Sequence, residues 1–112
     1  MGVPVKAFPE YPLVLHLIEW GGIKAPTKVF GSLSGTNVEA LIDAQGNFIW
    51  KGERFSSPSV AAGKIATLLT GQTTPGRNYQ SVNGWKFWRV IDTDGVMRSL
   101  AEIRESVRAG AA

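Results

Sequence analysis

Between Lys51 and Ile91 the chain sets six cations, Lys51, Arg54, Lys64, Arg77, Lys86 and Arg89, against Glu53 alone, a net charge of +5. Residues 1–50 and 92–112 each sum to −1, so the +3 of the whole chain is concentrated in its middle third. A basic segment of this kind suits a polyanion, because each Lys or Arg that neutralises a phosphate releases a condensed counterion. The segment ends in "SVNGWKFWRV", residues 81–90, where Trp85, Phe87 and Trp88 are interleaved with Lys86 and Arg89. Aromatic faces stack on bases, and cations beside them hold the backbone. Ser56, Ser57 and Ser59 stand at the head of a helix, where free N–H groups and hydroxyls can seat a phosphate. Asn83 has the amide geometry for a bidentate contact to an adenine edge. The candidate phosphate contacts are therefore Lys51, Arg54, Ser56, Ser57, Ser59, Lys64, Arg77, Lys86 and Arg89. The candidate base contacts are Ser59, Asn83, Trp85 and Trp88. Each has a plainer alternative: a solvated charged face, a helix cap at Ser57, a turn residue at Asn83 before Gly84.

Catalysis finds less support. Without cysteine, thiolate metal sites, disulfides and a cysteine nucleophile are excluded, and one histidine does not make a His-rich metal site. His16 lies far in sequence from any activated serine, and "TGQTTPGR" lacks the Gly-Lys-Ser/Thr ending of a phosphate loop. Asp92 and Asp94 flank Thr93 before Gly95, which is turn composition. Asp43, Glu53 and Lys64 could meet only through the fold. The expectation is a non-enzymatic protein without metal or cofactor.

The elements that position these residues follow from periodicity. With 112 residues, a single domain is expected. Residues 1–9, with two prolines and a glycine, read as a flexible arm; residues 10–109 form the domain, and 110–112 a loose tail. No apolar run approaches the ~18 residues a membrane span needs, and the start lacks the apolar region of a secretory signal. A cytoplasmic location is compatible with these features. A helix is expected from Pro12, with Leu13, Leu17 and Trp20 on one face and Gly21-Gly22 ending it. "TKVFGSL" and the alternating "NVEALID" are strands, and "FIWK" returns after the turn "AQGN". In "FSSPSVAAGKIATLLTG" Ser57 caps, Pro58 opens and Gly71 closes a helix with Ala61, Ile65, Leu68 and Leu69 as its apolar stripe. Gly63 inside it suggests close approach by another element. "WKFWRVI" reads as a strand with Trp85, Phe87, Arg89 and Ile91 on one face and Lys86, Trp88 and Val90 on the other. The sequence does not decide which tryptophan faces outward; if Phe87 and Ile91 mark the core side, Trp85 turns inward and Trp88, with Lys86, turns outward or toward a helix. A last helix starts at Ser99, with a capping box to Glu102 and the stripe Leu100, Ile103, Val107. The sum is an α+β domain: a small, mainly antiparallel sheet of about four strands covered by three helices.

These motifs also resemble a known family. The Ser-Pro-Ser-x-Ala-Ala start at Ser57, Pro58, Ser59, Ala61 and Ala62, the Asn-Gly-Trp-x-x-Trp run at Asn83, Gly84, Trp85 and Trp88, and the Leu-x-x-Ile-Arg run at Leu100, Ile103 and Arg104 resemble the RAMA domain, the restriction-enzyme and adenine-methylase associated domain. The resemblance covers roughly residues 13–107. It departs from the family pattern in a longer link, "LLTGQTTPGRNYQSVNG". It implies a DNA-binding module that reads modified, for example methylated, duplex DNA, in association with a restriction or methyltransferase system protein. The competing expectation is a protein–protein interaction adaptor that uses the same aromatic and basic surface.

Overall fold

Val38, Ala40 and Ile42 alternate with Glu39 and Leu41, and this period of two seats one side of a strand against a core and leaves the other side open. The computed structural model describes residues 8–111. In it, strand β1 (Thr27–Leu33) pairs along its whole length with β2 (Thr36–Ile42). Ser34 and Gly35 close the pair, both with positive φ, as a two-residue hairpin turn requires. Strand β3 (Phe48–Trp50) returns along β2, and β4 (Glu53–Phe55) pairs with β3. On the other flank β5 (Arg89–Ile91) pairs with β1, and β6 (Met97–Ser99) with β5. The sheet is antiparallel throughout, in the order β4-β3-β2-β1-β5-β6.

The α+β class and the antiparallel sheet agree with the sequence reading, but the described residues form six strands and four helices, not about four and three. The two extra strands, β4 and β6, are three residues each, too short to show a period. The β3–β4 turn adds a second reason. It uses Lys51 at φ +48 before Gly52 at φ +81, and a left-handed lysine is a signal that sequence rarely sends.

Helix α1 (Val14–Glu19) begins later than Pro12; the His16 imidazole Nδ1 accepts the Leu13 N–H at 2.8 Å and caps its first turn. Leu13 is exposed, and Val14 and Leu17 are the buried positions. Helix α2 (Pro58–Thr70) is capped by Ser57 and closed by left-handed Gly71. Its stripe is shifted from the expected one: Ala61 and Ile65 are buried with Ala62 and Ala66, whereas Leu68 and Leu69 are 68% and 46% exposed. The cause is the loop 72–82, which folds back along the helix. A Cβ at Gly63 would fall on the Gln80 carbonyl oxygen, and the Gln80 N–H donates to Thr67 Oγ1 at 2.6 Å. That loop therefore makes the close approach expected at Gly63. Helix α4 (Leu100–Ala111) carries the expected capping box, with the Glu102 N–H donating to Ser99 Oγ at 3.1 Å, and it buries Leu100 and Ile103. It continues through 110 and 111, which had been assigned to a loose tail. Of the arm expected over 1–9, residues 1–7 lie outside the described residues. Phe8 packs edge-on against Trp20 with ring centroids 5.5 Å apart.

The sharpest departure is at residues 84–87. They form a single helical turn, α3 (Gly84–Phe87), where a strand was expected, and the strand starts only at Arg89. All four helices contribute to one core against the same side of the sheet, the side of Val29, Val38, Ala40, Ile42, Phe48 and Val90. Among the described residues no helix is long and apolar enough to cross a membrane.

Two turns on opposite flanks use one device. Asp43 Oδ1 accepts the N–H groups of Gln45 and Asn47 at 3.0 and 2.9 Å, and Asp92 Oδ1 those of Asp94 and Val96 at 2.9 and 3.0 Å. The second oxygen of each faces a guanidinium, Arg54 Nε at 3.8 Å and Arg98 Nε at 2.6 Å. These carboxylates are therefore used by their own turns. Burial pushes the Asp43 carboxyl up, but the N–H groups of Asn47 and Gln45, with Arg54 behind them, outweigh it and hold the pKa below its ordinary value. At Asp92 the Val96 N–H leads, opposed by burial and joined by the Asp94 N–H and Arg98, and the net direction is the same.

A lowered folded-state pKa means that each carboxylate stabilises the fold above its unfolded value of about 3.9, and that this contribution is lost as pH falls through the folded value. Asp43→Asn and Asp92→Asn should each flatten the loss of stability that urea unfolding records below about pH 4. An unchanged acid limb in both variants would show that the turns do not need the charge. Leu100→Ala or Ile103→Ala should cost about 2–5 kcal/mol in the same assay at neutral pH, as for other buried truncations.

Candidate nucleic-acid interface

The Trp88 side chain is fully buried, and its indole Nε1–H donates to the Pro58 carbonyl at 2.9 Å. Its backbone carbonyl accepts the Leu100 N–H at 3.0 Å. Its ring meets Phe87 edge-on at 4.8 Å and lies 5.5 Å from Phe48. One residue thus ties α2, α3, the sheet and α4. Gly84 completes the junction: its N–H donates to Ser59 Oγ at 3.0 Å, and a Cβ there would fall on the Pro58 carbonyl and the Ser59 nitrogen. Ser57 Oγ accepts the Val60 N–H at 3.0 Å.

These contacts revise the expected site. Of the two orientations left open for Trp88, outward or toward a helix, the second holds: it is fully buried against α2 and has no face left for a base. The first turn of α2 was read as a phosphate seat; instead Gly84 packs against it, and Ser57 and Ser59 serve as cap and clasp. Ser56 is exposed. Trp85 is half-buried, with the Arg104 guanidinium 4.8 Å from its ring centroid. Asn83 stands exposed at the start of α3, and its side chain makes no capping hydrogen bond.

The six cations of residues 51–91 are all exposed, but they divide between the two sides of the sheet. Strand register puts Arg54 opposite Ile49 and Arg89 opposite Phe30, both on the side away from the helices. Lys64 projects from α2, Lys86 from α3 and Arg77 from the loop between them, and Lys51 stands on the β3–β4 turn beside α2. Three of these four lie by aromatic rings: Lys51 Nζ is 4.8 Å from the Trp50 centroid, Lys64 Nζ 6.0 Å from Phe55, and the Arg77 guanidinium 5.9 Å from Tyr79. Among the described residues none of the four makes an ion pair, whereas Lys28, Arg54, Arg98, Arg104 and Arg108 do. The helix layer therefore carries four exposed cations without an ion pair among the described residues, with Glu53 beside Lys51 and Asn83 exposed at the start of α3. Trp50 and Tyr79 were not singled out in the sequence, though their neighbours Lys51 and Arg77 were; the adjacent cation was the available signal.

The class of protein this defines is an α+β domain with an open antiparallel sheet, whose helix layer has a basic, aromatic-lined outer face. No protein-family model matches the chain, and no curated protein is significantly similar to it.

Trp88→Phe removes the indole hydrogen bond and opens a void; it should cost at least about 2 kcal/mol on urea unfolding. Ser59→Ala should cost about 1 kcal/mol through the freed Gly84 N–H. A Ser59→Ala protein as stable as the parent would show that the clasp is not what holds α3.

Proposed function

We propose that the chain is a non-enzymatic DNA-binding module that reads modified duplex DNA through its helix layer. The carrying observation is that Lys51, Lys64, Arg77 and Lys86, all on the helix-layer elements or the turn beside them, are exposed and make no ion pair among the described residues. Phosphates supply the missing counter-charge. Asn83 and the half-buried Trp85 are the groups assigned to the bases, with Arg104 holding the indole from behind. Ser59 and Trp88 act as positioning residues. The resemblance of the Ser57–Ala62, Asn83–Trp88 and Leu100–Arg104 motifs to the RAMA domain supports the same reading, including a cytoplasmic partner from a restriction or methyltransferase system. A protein-interaction adaptor working through this surface is the second reading; the exposed Leu68 and Leu69 beside Trp50 favour it.

Matched duplexes with and without a base modification, titrated at several salt concentrations, test the proposal. Affinity should fall steeply with salt, with a slope set by the number of phosphate contacts. Lys64→Glu with Lys86→Glu should weaken binding to every duplex and flatten that slope, whereas Arg89→Glu, on the far side of the sheet, should change little. One added methyl is worth about 0.8 kcal/mol when buried, so the modified duplex should bind about fourfold tighter. Asn83→Ala and Trp85→Ala should lower that ratio more than the affinity for plain DNA. Binding that ignores salt would favour the adaptor, and equal binding across several modifications would reduce the module to a general DNA binder.

A further inference from the structure

The side of the sheet away from the helices is uncovered among the described residues and mixes charged with apolar positions. Leu41 pairs directly with Ile49, and Ile91 with Met97. Leu41, Ile91 and Met97 are 38%, 53% and 46% exposed. Phe30, half-buried, lies beside Arg89 across the β1–β5 pair. The apolar side chains thus form two patches, Ile49 with Leu41 and Ile91 with Met97, on either side of β1, where Lys28 stands opposite Leu41 and Phe30 lies two residues along. Exposed aliphatic groups gathered in this way mark an interaction surface, whereas isolated ones do not.

The chemistry of the patches selects their occupant. Nucleic acid is a poor fit, because base stacking needs aromatic planes and the patches are Ile, Leu and Met. A second copy is also a poor fit. Lys28 and Arg54 on this face already pair with Glu39 and Asp43, which leaves Arg89 as its free cation among the described residues, and a second copy brings no surplus carboxylate to meet it. Size points the same way. Six strands ~4.8 Å apart span about 24 Å, and with β3 to β6 of at most seven residues the face falls short of the ~800 Å² per partner of a standard interface. A single helix, ~10 Å across, covers both patches with about 16 residues at ~1.5 Å each. Apolar residues at i, i+3, i+4 and i+7 would meet the apolar patches, and an acidic flank would meet Arg89, which makes no ion pair among the described residues.

We infer that this sheet face docks an acidic amphipathic helix of a partner protein, leaving the helix layer free. The test uses the ¹⁵N-labelled chain and two synthetic 16-residue amphipathic helices with the same leucine stripe, one flanked by glutamate and one by lysine. The glutamate peptide should bind at least tenfold more tightly. It should shift the amides of Leu41, Ile49, Ile91 and Met97 while leaving Lys64 and Lys86 in place. Leu41→Ser with Ile91→Ser, both solvent-facing, should abolish these shifts, and Lys64→Glu with Lys86→Glu should preserve them, so that the result is independent of DNA binding. Equal affinity for the two peptides, no binding of either, or shifts on the helix layer would overturn the inference. So would shifts of the sheet face that depend on protein concentration alone, which indicate a second copy, or shifts there caused by duplex DNA.

Discussion

The hydrogen bond from the Trp88 indole to the Pro58 carbonyl joins residues 30 positions apart, and the arrangement of the helix layer depends on it. A buried indole N–H without an acceptor would cost several times what the bond contributes when made, so the tryptophan enters the core only where a carbonyl is waiting. Pro58 supplies that carbonyl from the first turn of α2. The chain must then bring residue 88 inward directly after an Asn-Gly pair, and a four-residue helical turn does this where an extended strand would have carried the ring past the core. Gly84 is the corollary, since any side chain there would separate α3 from α2.

This junction also decides which residues remain free for a ligand. Four of the residues that most strongly suggest the RAMA resemblance, Pro58, Ser59, Gly84 and Trp88, have their polar or steric capacity used inside the domain. Their pattern reports how the layer is held together. The groups the junction leaves exposed or half-exposed are the less distinctive set around them: Asn83, Lys86, Lys64, Arg77 and part of Trp85. A signature built from packing constraints thus marks the position of a surface without itself forming it.

The two sides of the sheet carry different chemistry. On the helix layer Lys51, Lys64 and Arg77 lie by rings and, with Lys86, make no ion pair among the described residues, whereas Arg104 and Arg108 of α4 pair with Glu105. On the open side Lys28 and Arg54 have carboxylate partners, and the intervening positions are aliphatic. The net +5 of residues 51–91 is therefore not one patch, because strand alternation sends Arg54 and Arg89 away from Lys64 and Lys86.

Local chemistry determined the parts of the structure that depend on neighbouring residues. Period-2 alternation placed β1 and β2, Ser57 and Gly71 bounded α2, and the Ser99–Glu102 spacing started α4, because caps and half-buried strands are settled within a few residues. Tertiary structure alone decided the rest. The orientation of Trp88 depends on a carbonyl 30 residues away, the burial of Gly63 on a loop that doubles back, and the strands β4 and β6 on neighbours that supply the hydrogen bonds three residues cannot hold by themselves. The division of the cations between two surfaces belongs to this second group, since charge is additive along a sequence while exposure to a common partner is set by which side of the sheet each strand and helix presents.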